Sequence, residues 1–371
     1  MIKESMGRPV GGEGSIPARR PLSICYYVSG HGLGHADRAA QVMECLPQDA
    51  RLIVKTTAPE DFIRNGAKRP LEYVRTSFDT GAIQSSNFAI DWDRTFRETA
   101  AQMANREKIL STEARFLERE RVDVVVSDIP PLPLAAAKLA GVPGVAIVNF
   151  TWVEILRKAA AGNKKRESLV QQICDDYSDA TLALRTPMTF PMRYFPQRQD
   201  IPLIARTGRP QKTRLRRELG IPRGKSIVLL YFGNWGGSDF NYAALAQNCD
   251  IAFVSSFDMP APVLHIEGGS WDYADLVASV DAVVAKPGYG TLACCMANAT
   301  PVGFYPRPEF AEYPVLRKAL MDWGGAVAIG KRDFFSGKWG NALEKAFELE
   351  ATGVRADGAR VAANAVTRVR R

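Results

Sequence analysis

Short apolar runs recur along the chain, each closed by glycine or small polar residues and followed by a stretch with helical spacing. The first, over 22–29, reads Leu-Ser-Ile-Cys-Tyr-Tyr-Val-Ser, the nearly continuous apolar pattern of a strand buried on both faces. Further strands are predicted over 51–57, 71–75, 122–127 and 145–149, with helices over 36–46 and 94–120. In the long helix Phe96, Ala100, Met103, Leu110 and Leu117 fall near a 3.6-residue repeat. Residues 78–94 read as polar turns. Between 187 and 225 prolines at 187, 191, 196, 202, 210 and 222 break the pattern, which marks a connection between domains. The alternation then restarts, with strands over 227–232, 251–255, 263–267, 281–286, 301–305 and 326–330. Helices are predicted between them over 273–280, 291–297 and 313–322, and a last one over 341–349.

Strands that alternate with helices imply parallel sheets covered on both faces. The expected organisation is a flexible tail over 1–20, a Rossmann-like domain over 21–206, which the resemblance given below makes the acceptor domain, and a linker over 207–224. A second Rossmann-like domain, with a terminal helix, takes 225–371. Ligands of open α/β sheets bind outside the carboxyl ends of the strands, so the cleft between two such domains is the expected site. The length of 371 residues suits this division, and 46% apolar with 24% charged residues fits a globular chain. No run approaches the roughly 18 apolar residues of a membrane span, and the first twenty residues do not read as a signal peptide; a cytoplasmic location is expected.

The six cysteines form no C-x-x-C pair, so neither a disulfide framework nor a zinc knuckle is indicated. The net charge of +8 is scattered in short clusters rather than gathered with aromatics. No nucleic-acid partner is expected from it; weak attraction to anionic lipid or to phosphorylated substrates is the most it implies.

Chemistry concentrates in glycine-rich loops. After the first strand comes Ser29-Gly30-His31-Gly32-Leu33-Gly34-His35, opening a helix. Alternate glycines allow a sharp turn and close approach to a ligand. The spacing is not that of a dinucleotide fingerprint, and no acidic residue ends the second strand. The segment 220–226 falls one residue short of a P-loop and precedes a strand, so it reads as connection. In the second half, Gly233-Asn234-Trp235-Gly236-Gly237-Ser238 and Lys286-Pro287-Gly288-Tyr289-Gly290-Thr291 both follow strands and are read as opening helices. Two helix N-termini at equivalent ends of one sheet can hold a diphosphate. Tight structural turns are the alternative.

Taken together, these motifs resemble the glycosyltransferase-like half of plant L-arabinokinases and their bacterial relatives. The likeness runs through Val28 to Arg38, Phe78 to Gln84, Val126 to Pro131 and Val148 to Trp152, then Ala274 to Leu276, Lys286 to Leu292 and Arg307 to Pro314. The kinase half of those proteins has no counterpart here. More distantly the layout resembles inverting GT-B glycosyltransferases of the plant (family 1) and MurG (family 28) types.

The resemblance implies two facing Rossmann-like domains and transfer without an essential metal or resident cofactor, the nucleotide sugar, expected to be a UDP-sugar, being a co-substrate. It makes His35 the general base or a contact to acceptor or donor, and Asp128 the carboxylate that orients it. It places the donor on Gly233, Asn234, Gly236, Gly237, Lys286, Gly288, Tyr289, Gly290 and Thr291, and the acceptor near His31, Gly32, Gly34, Asp79 and Gln84. These families hold the nucleotide ribose with a glutamate three residues after a Thr or Ser; here that position is Cys294, and Glu309 or Glu312 is expected to take over.

The residue chemistry agrees in outline. An imidazole suits a base near neutral pH, and a buried carboxylate on its other nitrogen would fix the tautomer. Only three histidines exist, and two lie in this loop. His35 is equally well read as a satisfied loop histidine, and Asp128 as the cap of the next helix. The leading expectation is an inverting glycosyltransferase acting on an acceptor hydroxyl or amine; the alternatives are a sugar-nucleotide epimerase or hydrolase, and a catalytically silent sugar-nucleotide-binding protein.

Overall fold

A computed structural model describes residues 20–84, 90–232, 240–267 and 269–370. The strands are β1 (Ser23–Val28), β2 (Arg51–Thr56), β3 (Glu72–Arg75), β4 (Val124–Asp128), β5 (Gly144–Val148), β6 (Leu182–Arg185) and β7 (Arg198–Asp200) in the first half. The second half has β8 (Ser226–Tyr231), β9 (Ile251–Ser255), β10 (Leu264–His265), β11 (Ala282–Ala285), β12 (Val302–Phe304) and β13 (Ala326–Ala328). The first set forms a sheet in the order β3-β2-β1-β4-β5-β6-β7, the second in the order β10-β9-β8-β11-β12-β13. Neighbouring strands run parallel in both sheets. These are two doubly wound parallel-sheet domains, as the alternation predicted, in the arrangement that the GT-B resemblance implies.

Helices α1 (Leu33–Cys45), α2 (Glu60–Ala67), α3 (Trp92–Ala104), α4 (Arg106–Arg119), α5 (Leu132–Leu139), α6 (Trp152–Ala160) and α7 (Lys164–Ser178) cover the first sheet. The second has α8 (Lys212–Glu218), α9 (Tyr273–Ala278), α10 (Tyr289–Ala297), α11 (Tyr313–Trp323), α12 (Lys331–Ser336) and α13 (Gly340–Phe347), followed by α14 (Gly358–Arg368). Period-two alternation divides each core. Cys25, Tyr27 and Val125 pack with α4 to α7, whereas Ile24, Tyr26, Val28, Val124 and Val126 pack beneath α1.

Several features depart from the sequence expectation, beginning with β6 and β7, which lie where no strand was expected. The helix predicted over 94–120 is two helices broken at Asn105, whose side chain donates to the Ala101 carbonyl at 3.0 Å and offers the backbone a local alternative. The region expected as linker, 207–224, contains α8, and Leu215 from it is fully buried in the second core. The last helix belongs to the first domain. Ala359, Ala362, Ala363 and Val366 of α14 join the core of Ala39, Val42 and Met43 on α1. The chain crosses back at Leu203, where the Gly358 N–H donates to the Leu203 carbonyl at 2.9 Å. A Cβ at Gly358 would lie 2.1 Å from the Pro202 oxygen, so this crossing requires glycine.

The strand order reverses between β1 and β4, and again between β8 and β11. At such switch points the loops leaving adjacent strands diverge and open a crevice. The loop after β1 carries His31 and leads into His35 on α1; the loop after β11 carries Lys286 and Gly288.

Candidate active site

In the first domain Val28 pairs with Asp128, so the histidine loop and the end of β4 start side by side. Gly30 is compelled: a Cβ there would lie 1.9 Å from Thr57 Oγ1. Gly32 precedes α1 with φ 88°, a conformation that L side chains rarely adopt. His35 then falls in the first turn of α1 and Arg38 one turn on. His35 Nδ1 lies 3.1 Å from Asp128 Oδ1. Arg38 donates to both Asp128 oxygens, Nε to Oδ2 at 2.8 Å and Nη2 to Oδ1 at 2.6 Å. The carboxylate is therefore shared, and α5 receives no side-chain cap, which removes the capping role considered for Asp128.

Arg38 Nη2 also lies 3.3 Å from His35 Nδ1. The nearer contact is the carboxylate, which only accepts, so the proton belongs on Nδ1 and the Nε2 lone pair is left to act. The His35 side chain retains 12% exposure and Asp128 none, so only the imidazole is reachable. Burial would raise the Asp128 carboxyl, but the Arg38 charge and the hydrogen bonds of His35 and Arg38 hold it below its ordinary value.

Arg38 continues the network. Its Nη1 donates to Asn149 Oδ1 at 2.7 Å, and Asn149 Nδ2 donates to Glu312 Oε1 of the second domain at 2.8 Å. Burial lifts the Glu312 carboxyl to about 7 against the opposing pull of Asn149, Arg38 and Arg307. Tyr289 also faces this network. Its ring lies 5.2 Å from the Arg38 guanidinium, and its hydroxyl accepts from the Ile204 N–H at 3.2 Å. Tyr289 and Glu312 thus tie the domains together from buried positions; both were expected as donor contacts.

His31 stands in a separate niche. Its ring meets Trp152 edge to face at a centroid distance of 5.4 Å, and Phe150 makes similar contacts with Trp152 and with His35. Gly81, at φ 70°, leaves room for it: a Cβ there would lie 2.5 Å from His31 Nδ1. Burial, then the charges of His35 and Lys286, lowers the imidazole to about 4, so His31 is neutral at physiological pH. Trp152 Nε1 donates to Asp79 Oδ2 at 2.9 Å. Burial raises the Asp79 carboxyl against the hydrogen bonds of Ser29 and Trp152. Gly32 and Gly34 are exposed at the rim, and Gln84 is exposed in an isolated bridge with Ile90.

Across the crevice α10 opens at Tyr289 behind Gly288, with Thr291 in its first turn. Gly34 and Gly290 face each other so closely that a Cβ on Gly290 would lie 4.0 Å from Gly34 Cα. Lys286 is partly buried, and burial, then the Arg307 charge, lowers its ammonium. Arg307 is buried, its guanidinium 4.7 Å from the Phe310 ring centre, and its Nε has no hydrogen-bond partner among the described residues. Glu309 is exposed, with an oxygen 3.7 Å from Arg307. Cys294 is buried one turn into α10. Gly233, Asn234, Gly236 and Gly237 lie outside the described residues.

The structure therefore brings together His35, Asp128, His31, Asp79, Lys286 and the start of α10, and turns Tyr289 and Glu312 inward. Sequence reasoning assigned no role to Arg38, Asn149, Trp152 or Arg307. The signals were available: Arg38 sits three residues after His35 on one helix face, and Asn149 ends a strand beside Asp128.

The family model described as glycosyl transferase family 1 matches residues 22–184. The chain is similar to L-arabinokinase of Arabidopsis thaliana, 32% identical over 349 residues that take in 91% of this chain and 33% of that one. It thus spans about a third of that relative's length. Among solved structures, the glycotransferase of kitacinnamycin superposes with TM-score 0.64 at 16% identity, covering 95% of this chain and 100% of that one. Phytolacca americana UGT2, complexed with UDP-2fluoro-glucose and pterostilbene, does so with TM-score 0.61 at 11% identity, covering 94% of each chain.

Proposed function

Because the chain is GT-B glycosyltransferase-like in sequence and in fold, we propose that it transfers a sugar, with inversion, from a nucleotide diphosphate donor to an acceptor hydroxyl or amine. His35 Nε2 takes the acceptor proton as the acceptor atom bonds to the anomeric carbon. The bond from that carbon to the diphosphate oxygen breaks, and the nucleoside diphosphate leaves with the electron pair. Asp128 and its shared proton on Nδ1 stabilise the imidazolium, a role of about 10²- to 10⁴-fold. Charge growing on the leaving diphosphate meets the N–H groups at the start of α10, with Lys286 and Arg307 beside it. The niche of His31, Trp152 and Asp79 receives the acceptor. The complex of UGT2 with a UDP-sugar supports a uridine donor here, and transfer needs no metal in this reading.

The observation that carries the reading is the His35–Asp128 contact of 3.1 Å on the lip of the crevice, with Gly290 opposite. Its test is release of nucleoside diphosphate from a panel of nucleotide sugars, with binding followed by calorimetry. The expected result is turnover lost in His35→Ala with donor binding kept; equal turnover in the two proteins would refute it. Product analysis with and without acceptor separates transfer from epimerisation or hydrolysis.

One observation favours a second reading, binding without turnover: Arg38 holds Asp128 by shorter contacts than His35 does. An already neutralised carboxylate supports an imidazolium less. Donor binding with no turnover in the wild-type protein, whatever acceptor is offered, would establish it.

A further inference from the structure

Beyond the close approach of Gly34 and Gly290, the next turn of each helix brings Asp37 of the first domain opposite Cys294 of the second. Helices α1 and α10 pack against each other along this stretch, and the Asp37 charge acts after burial and Cys295 in raising the Cys294 thiol, and after burial in raising the Tyr231 hydroxyl. Asp37 is half-buried. Gln41 Nε2 donates to its Oδ2 at 3.0 Å, and among the described residues no donor reaches Oδ1. Arg206 is near but engaged elsewhere, donating to Glu44 at 2.6 Å and to the Gly66 carbonyl at 2.9 Å. An aromatic wall stands alongside: the Tyr231 and Tyr273 rings meet at a tilt of 41° with centroids 4.4 Å apart, and Phe257 leans on Tyr231 at 5.4 Å. The Tyr273 hydroxyl is buried with no partner at hydrogen-bond geometry among the described residues.

A half-buried carboxylate with an open oxygen repels phosphate and calls for hydroxyl donors. It lies about one helical turn, ~5 Å, from the helix starts where the diphosphate would rest. That offset matches the ribose of a nucleoside diphosphate. The thiol of Cys294, a weak donor and acceptor, cannot hold two hydroxyls. We infer that Asp37, delivered from the first domain, is the carboxylate that receives the ribose hydroxyls of the donor nucleotide. The inference rests on the nucleotide-sugar reading above. It makes donor recognition a joint act of both domains: phosphates on the second, ribose on the first.

The test is calorimetry with UDP, GDP and ADP, each against its 2′-deoxy counterpart, on wild-type protein, Asp37→Asn and Asp37→Ser. Melting temperature verifies that the variants fold. The expected result is wild-type preference of about tenfold or more for the ribonucleotide, abolished in both variants while affinity for the deoxynucleotide is unchanged. A merely structural role would weaken both ligands alike. Wild-type discrimination that survives in folded Asp37→Asn or Asp37→Ser overturns the inference alone. Absence of any nucleoside diphosphate binding to the wild-type protein overturns the proposed function, and this inference with it.

Discussion

Replacing Asp128 by asparagine changes almost no volume and removes one charge from a group with no solvent exposure. The carboxylate meets donors from His35 at 3.1 Å and from Arg38 at 2.6 and 2.8 Å. An amide offers one oxygen and one NH₂, so at least one of these donors faces another donor, and the buried Arg38 guanidinium loses its counter-ion. Breaking such a pair costs about 3–5 kcal/mol, a fall in melting temperature of roughly 10 °C for a domain of this size. Turnover falls by on the order of 10²–10⁴ because Nδ1 is no longer held protonated. Donor affinity, which rests on the start of α10 and on Asp37, stays. The pH sense follows from the depressed carboxyl. Its stabilisation is full above the unfolded value of 3.8 and is lost as pH falls through the lower folded value, so the gap between wild-type and variant narrows in acid. The assay combines thermal melts, calorimetry and nucleoside diphosphate release. Adding Arg38→Met to Asp128→Asn replaces the stranded charge and restores part of the melting temperature, but not turnover. Wild-type turnover in Asp128→Asn would refute the reasoning.

Three further outcomes follow. Glu312, lifted to about 7 in the fold from 4.5, stabilises fully below 4.5 and loses that contribution as pH rises through 7; Glu312→Gln therefore flattens the decline of stability across that window, by up to about 3 kcal/mol, read by scanning fluorimetry in a pH series. Gly81→Ala pushes a Cβ to 2.5 Å from His31 Nδ1 in a left-handed conformation, costing about 1–2 kcal/mol in backbone strain and raising the acceptor KM while donor binding is unchanged. Lys286→Met, near Arg307 at the mouth of α10, weakens nucleoside diphosphate binding by about tenfold with little change in melting temperature, measured by calorimetry and melts.

The central strands of the two sheets were legible because they are buried on both faces, which writes each as a run of apolar residues. Expected runs over 22–29 and 227–232 became Ser23–Val28 and Ser226–Tyr231. The break at Asn105 was hidden because the apolar positions stay in helical phase on either side of it. The docking of α14 was hidden for another reason. Its alanine-rich face predicts burial but carries no address; that comes from the crossing at Leu203 and Gly358. The encounter of His35 with Asp128 follows from β1 and β4 being neighbours, a fact of strand order rather than of either segment. Glycine patterns foretold backbone turns but not side-chain direction, so the contacts by which Tyr289 and Glu312 join the domains were not legible.

A crystal structure with a non-hydrolysable nucleotide sugar tests most directly whether the two glycine-loop helices form one transfer site. The diphosphate is expected on the N–H groups that open α10, with the anomeric carbon turned toward His35 Nε2 and space for an acceptor between them. A sugar bound outside the crevice, or an anomeric carbon facing away from His35, would contradict it.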